Sequence, residues 1–297
     1  MGPDRRNAAV ARALAAVLLW STVATAFKLA LRRMDPAVLL ALSSAFSCLC
    51  LTCCAAVDGN LRAVWRQRWT DWLRSAGLGL LNPFLYYLVL FNAYARLPAQ
   101  EAQPLNYTWP LMLAVLSVPL LGERLGPRDA AALLLSFFGV VIISTRGDVL
   151  SFAVSDPLGC ALALGSSVLW ALYWIGSLRD RRDRSVTLAT SFLFGTLWSV
   201  LYLAVVGRGA AVPDAAGLGL AAYIGAFEMG LTFLLWLGAL ARAGRNARIA
   251  ALAYLSPFLS LFFIRTIAGE SIRASSVTGL ILIVAGIAWQ NVGSTQR

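Results

Sequence analysis

Residues 105–123 read LNYTWPLMLAVLSVPLLGE, and residues 252–270 read LAYLSPFLSLFFIRTIAGE. Laid over one another, they pair Leu105 with Leu252, Tyr107 with Tyr254, Pro110 with Pro257, Gly122 with Gly269 and Glu123 with Glu270. Further on, Gly139 pairs with Gly286. All these pairs share one offset of 147 residues, which an internal duplication explains better than chance. A second duplicated pair sets Leu19-Trp20 on Leu169-Trp170 at an offset of 150, the difference being absorbed in loops. The chain is therefore read as two copies of one design, residues 8–145 and 156–292.

Composition says what solvent that design meets. A chain of 297 residues, 59% hydrophobic and 13% charged, carries too much apolar surface for one water-soluble core, so lipid is the solvent for most of it. Ten apolar segments are expected, near residues 8–31, 37–57, 75–95, 99–121, 127–145, 157–178, 185–206, 215–240, 247–267 and 274–292, the fifth and tenth being short. The fold class is an all-α integral membrane protein. Each copy holds five crossings, and an odd number turns the second copy upside down relative to the first. No further soluble domain fits, since the longest polar stretches, Asp58–Asp71 and Arg179–Arg184, are only loop-sized.

A net charge of +11 would point to nucleic acid in a soluble domain. With ten crossings and a cytoplasmic N-terminus, however, 17 of the 25 basic residues fall inside and 8 outside. The basicity is then topogenic, both termini are cytoplasmic, and no nucleic-acid partner is expected. Arg5 and Arg6 precede an apolar run that Lys28, Arg32 and Arg33 close at full helix length, so an uncleaved first span is expected rather than a secretory signal. Cys48, Cys50, Cys53 and Cys54 crowd the second span, with Cys160 in the sixth; without a single histidine they read as packing residues, and no metal or cofactor is expected. With no histidine, no paired intramembrane aspartates and no G-x-S-x-G, the usual catalytic sets are missing too, so an enzyme is not expected.

The polar and aromatic groups mark where a substrate would sit. Gln103, Asn106, Tyr107 and Pro110 follow the i, i+3, i+4, i+7 spacing and share a face, with Trp109 on its shoulder. Such a face in lipid turns toward protein or a water-filled cavity. Pro110 and Pro257 each remove an N–H, freeing the carbonyls of Asn106 and Ala253; they serve either as a paired hinge beside a central site or as simple packing kinks. Trp20, Tyr86, Trp109, Trp170 and Trp174 lie too deep for a headgroup belt and line either an aromatic cavity or a helix interface; Tyr173 continues the Trp170 face, and the third span adds Asn82, Pro83, Tyr86 and Tyr87 near mid-membrane. Ser21, Thr25 and Lys28 make a polar stripe on the first span. Glu123 and Glu270 close the repeated motif at the membrane surface, where capping or loop clamping is expected. Glu228 is placed near mid-membrane, either as a proton carrier or as an ammonium partner.

The L-x-Y-x-x-P pattern with its terminal G-E, present twice, resembles the EamA repeats of the drug/metabolite transporter superfamily. The tryptophan and tyrosine cluster looks like the bacterial YddG-type exporters of aromatic amino acids within it. That resemblance implies a ten-helix bundle with a central substrate cavity formed by both repeats, a small-molecule substrate, and a multi-pass protein of a bacterial plasma (inner) membrane that needs no obligatory protein partner and can act as a monomer. The matched motif positions are Tyr107, Pro110, Glu123, Tyr254, Pro257 and Glu270. Four-helix multidrug relatives use a carboxylate in their first span; this chain has none there. The leading expectation is an alternating-access exporter of aromatic and other neutral amino acids. A multidrug or organic-cation exporter is the alternative. A nucleotide-sugar carrier would want deep basic groups, and only Lys28 comes close.

Overall fold

In a hydrocarbon environment a backbone must satisfy its own hydrogen bonds, and helices do so within one segment. The computed structural model describes residues 3–122, 125–151, 154–178, 180–206, 211–243 and 252–294, and no strand occurs among them. The helices are α1 (Pro3–Leu31), α2 (Pro36–Val57), a short α3 (Leu61–Trp65), α4 (Trp69–Gly79), α5 (Tyr86–Arg96), α6 (Ala99–Asn106), α7 (Trp109–Leu121) and α8 (Pro127–Ser144). The second half continues with α9 (Pro157–Leu178), α10 (Arg184–Val206), α11 (Ala215–Tyr223), α12 (Thr232–Ala243), α13 (Leu255–Thr266) and α14 (Ala274–Ser294). Among the described residues, 8 helical segments are long and apolar enough to cross a membrane; Leu252–Thr266 and Ala274–Trp289 are apolar but shorter. The expected ninth span, 247–267, is described only from residue 252.

Two of the long segments are not continuous α-helix. A wide π turn, Leu80–Leu85, joins α4 to α5, and Asn82 within it is extended (φ −145°, ψ 122°) ahead of Pro83. Its counterpart, Ile224–Leu231, joins α11 to α12 and carries Glu228. The expected fourth span is likewise broken, because the chain turns at Tyr107 and Thr108 between α6 and α7. Pro110 is therefore in the first turn of α7, and Pro257 is the third residue of α13. First-turn positions need no intrahelical N–H, so Pro110 starts a helix rather than bending a continuous one, whereas Pro257 follows a 3-10 turn, Leu252–Tyr254, that runs directly into α13.

Packing repeats across the halves. α1 lies against α12 and α13, while α9 lies against α5 and α7; α2 pairs with α10, and α8 with α14. The α8–α14 contact is itself reciprocal. A Cβ on Gly139 would stand 2.5 Å from the carbonyl oxygen of Gly279, and one on Gly286 would stand 2.6 Å from that of Ala132, so the backbones meet directly and only glycine fits. The repeated G of the G-E pair also has one job in both copies. Gly122 and Gly269 each take a left-handed φ of 74°, which ends the preceding helix where another residue would be strained.

The loops gather in two groups. In one, Arg182 donates to Gln67 (3.1 Å), the Asp71 carbonyl (3.2 Å) and Ser75 (2.9 Å), and Asn60 donates to Ser185 (3.1 Å). In the other, Arg33 pairs with Asp214 (2.5 Å), Arg32 donates to the Ala268 carbonyl (2.8 Å), and Glu270 accepts from the backbone N–H of Ala99 (2.9 Å) and Gln100 (3.3 Å). Glu270 thus caps α6, as expected of a residue closing the motif. Glu123 lies outside the described residues.

Candidate functional site

α1, α5, α6, α9 and the Glu228 turn converge on a central cavity of about 90 Å³. Its walls are largely aromatic, with Trp20, Phe27, Tyr86, Tyr94, Tyr107, Trp109, Trp170, Trp174 and Trp236 among the lining residues. Trp20 meets Trp236 at 5.2 Å between ring centroids. Tyr86 meets Trp170 at 4.6 Å, and Trp109 stacks on Trp174 at 6.5 Å with an interplanar angle of 20°. Such pairs prefer offset or edge contacts at these distances, which leaves ring faces available to a third ring.

The polar lining is sparse and only partly occupied; Oε1 of Gln103, for one, has no partner. Asn106 donates to Ser166 (2.8 Å) and receives a long bond from Tyr86 (3.4 Å). Tyr107 donates to the carbonyl of Ala253 at 2.5 Å. This corrects one sequence expectation: the carbonyl that Pro257 frees is not offered to a substrate, because the repeated tyrosine of the other copy takes it. Glu228 is 7% exposed; its Oε1 accepts from Tyr87 at 3.4 Å, and its Oε2 has no partner. Nε1 of Trp174 is a buried donor with no acceptor.

Of the residues expected at the site, Trp20, Tyr86, Gln103, Asn106, Tyr107, Trp109, Trp170, Trp174 and Glu228 line this cavity. Three do not. Tyr87 is fully buried behind Tyr86 and reaches Glu228 from outside the wall, and Asn82 is enclosed in the π turn. Tyr173 faces a neighbouring vestibule of about 400 Å³, which it lines with Trp174, Ser177, Asp180, Arg181 and Phe233 among others. Trp174 belongs to both spaces. At the vestibule rim, burial pushes the Asp180 carboxyl up, but bonds from the Arg182 guanidinium and backbone outweigh this and hold it below its usual value. Tyr254 packs against the core and Pro257 is buried in α13, and neither lines the cavity.

The EamA-like transporter family model matches this chain twice, over residues 7–145 and 157–292. The chain belongs to the EamA-like transporter family. It is a multi-pass membrane transporter by that membership and by its apolar helices. The aromatic amino acid exporter YddG of Ancylobacter novellus is 28% identical over 285 residues, covering 95% of this chain and 96% of the relative. The uncharacterized transporter YvbV of Bacillus subtilis is 26% identical over 238 residues, covering 77% and 74%. A solved crystal structure at 25% identity superposes with a TM-score of 0.69 over 96% of this chain and 97% of the other.

This EamA-like transporter also contains site residues that the sequence reading passed over. Trp236, Ser256, Phe27 and Tyr94 line the cavity. Trp236 was within reach, since Glu228, Thr232 and Trp236 step along one helical face at i, i+4, i+8. Glu101 is the larger omission. Its side chain is 1% exposed, and it accepts from Arg146 (2.9 Å), from Arg273 and from Ser155 (3.4 Å). Close by, Lys28 donates to the carbonyls of Tyr94 (2.8 Å) and Leu97 (2.7 Å), so the polar stripe of α1 turns inward and spends its cation on backbone.

Proposed function

We propose that this transporter exports aromatic and other neutral amino acids through the central cavity by alternating access. One observation carries the reading: the cavity combines tryptophan and tyrosine walls with one unpartnered carboxylate oxygen, on Glu228, and one unpartnered N–H, on Trp174. An aromatic amino acid has a ring for the walls, an ammonium for the carboxylate and a carboxylate for the donor. The name of the A. novellus relative supports the same cargo.

The architecture we propose is ten crossings in two inverted repeats, residues 8–145 and 156–292, with both termini cytoplasmic in the plasma (inner) membrane of a bacterium. The reciprocal packing of α1 and α9, the self-paired α8–α14 and α2–α10 contacts, and the two separate loop groups all support it. Two near-equivalent packings of the same halves supply the two access states. The prolines at the start of α7 and α13, beside the Tyr107–Ala253 bond, favour a hinge where the repeats meet.

The test is efflux of labelled L-tryptophan, L-phenylalanine and L-leucine from liposomes holding the purified protein. No movement of any of them in either direction would end the amino-acid reading. Tags on the two ends that reported opposite sides of the membrane would end the ten-crossing reading. A second reading, organic-cation export, is favoured by the single carboxylate and the lack of any Lys or Arg among the described lining residues. It requires quaternary ammonium compounds to be carried and zwitterions to be ignored.

A further inference from the structure

We propose that the vestibule beside the central cavity is a second binding site, which takes an aromatic amino acid by its carboxylate before the cargo passes to the central cavity. The proposal rests on the export reading above and deepens it, since it names the end of the cargo that is recognised first.

The vestibule, about 400 Å³, lies where α9 runs into its connection with α10. Its inner wall is apolar, with Tyr173 and Trp174 of α9, Leu188 of α10 and Phe233 of α12. Its rim sets Arg181, Arg182 and Arg184 against a single acid, Asp180. That rim belongs to the loop group proposed above as cytoplasmic, the side from which an exporter loads.

Arg182 and Asp180 are spent on each other. The Arg182 guanidinium donates to both Asp180 oxygens, at 2.6 Å and 3.0 Å, and is held further by Gln67, Ser75 and the Asp71 carbonyl. Asp183 caps α10 by accepting from the Ser185 N–H (2.9 Å) and hydroxyl (2.7 Å), and it does not line the vestibule. Arg181 is different: it is exposed, and among the described residues it makes no ion pair or side-chain hydrogen bond. Deeper in, Oγ1 of Thr187 and Nε1 of Trp174 are buried polar atoms with no partner. A cation at the mouth with a hydroxyl and an N–H unmet behind it suits an anionic acceptor.

The spacing says what that acceptor carries. Trp174 precedes the last residue of α9 by four positions, about 6 Å along the helix axis. A carboxylate held by Arg181 therefore sets a ring a few bonds away against Trp174 and Phe233, where an aromatic face is buried. An inorganic anion gains nothing from that wall, and an amine without a carboxylate has nothing for the rim. Trp174 also lines the central cavity, and Phe233 meets Trp170 of that cavity at 5.3 Å between ring centroids. These two rings form the partition, and the Trp174 N–H serves the carboxylate on either side of it.

The experiment uses the full chain purified in detergent and two labelled probes counted by equilibrium dialysis. Indole-3-propionate has the ring and the carboxylate but no ammonium; tryptamine has the ring and the ammonium but no carboxylate. Arg181→Gln should weaken indole-3-propionate binding about three- to fivefold, the range for an exposed ion pair, and Arg181→Lys should restore most of it. Tryptamine binding should be indifferent to Arg181→Gln. Arg62→Ala, which removes a cation from the same loop group but not from the rim, should leave indole-3-propionate binding unchanged, as should Trp20→Ala in the central cavity. Unlabelled L-tryptophan should displace the probe. Binding lost in Trp20→Ala but kept in Arg181→Gln would place the carboxylate in the central cavity, overturning the proposal and leaving the export reading standing. So would no binding of indole-3-propionate, or its displacement by phosphatidylglycerol and not by L-tryptophan, which would give the rim to lipid headgroups. The expected Arg181 pattern with no L-tryptophan export from liposomes would support carboxylate recognition here and end the export reading.

Discussion

Glu101→Gln removes one negative charge from a carboxylate held by two arginines, keeping its shape. In the folded protein the Glu101 side chain is 1% exposed, while those of Arg146 and Arg273 are 40% and 41% exposed. The amide can still accept at one oxygen, but its NH2 must face a guanidinium. Charge-assisted hydrogen bonds contribute about 1.5–3 kcal/mol each. Two are weakened here, and the half-exposed arginines recover water, which discounts the loss. A destabilisation of about 2 kcal/mol results, roughly a thirtyfold change in the folded-to-unfolded ratio. Equilibrium unfolding in detergent, followed by tryptophan fluorescence, measures it. A cycle with Arg273→Gln should show coupling of at least about 1 kcal/mol, since the two side chains are in contact. An additive cycle, or a Glu101→Gln variant as stable as the parent, would refute the claim that this carboxylate ties α6 to the α8–α9 and α13–α14 connections.

Gly139→Leu should destabilise by about 3 kcal/mol or more and broaden the gel-filtration peak, because a Cβ there would already lie 2.5 Å from the Gly279 carbonyl; Gly219→Ala, with nothing within 4 Å, should cost nothing and could add up to about 1 kcal/mol. Trp109→Ala should raise the apparent KM for tryptophan efflux about fivefold, the equivalent of one lost ring contact near 1 kcal/mol, and Trp170→Ala by at least as much, while Arg62→Ala changes neither transport nor stability. Parent-like efflux by both tryptophan variants would move the cavity elsewhere. For Asp180 the folded carboxyl titrates below its usual 3.8, so the clamp on the α9–α10 connection is fully present above that value and is lost as pH falls through the lowered one. Hydrogen-exchange protection of the Arg182 amide, which donates to Asp180 Oδ1 at 3.0 Å, should therefore drop only below about pH 4, and Asp180→Asn should remove that step.

The inward position of Lys28 and the pairing of Glu101 have a common cause. Both sit near a span's end, where backbone carbonyls and arginines of neighbouring connections are within reach, so charge is satisfied by protein rather than by headgroups. Glu228 has no such neighbours, which is what distinguishes it from the other buried carboxylate.

Sequence alone determined what needs only composition and period. Apolar runs of about 20 residues specify helices, because a single run of that length satisfies its own backbone in lipid only as a helix, and the 147-residue offset sets one copy of the motif on the other. It also put nine of the lining residues in view, since helical spacing fixes which side chains share a face. Which face meets which neighbour is a different kind of fact. The π turns carrying Asn82 and Glu228, the break at Tyr107–Thr108, the claim of Tyr107 on the Ala253 carbonyl, and the withdrawal of Tyr87 and Tyr173 from the wall were decided only in the tertiary structure. Helix rotation and local unwinding answer to contacts with segments more than a hundred residues away, and no local pattern records those contacts.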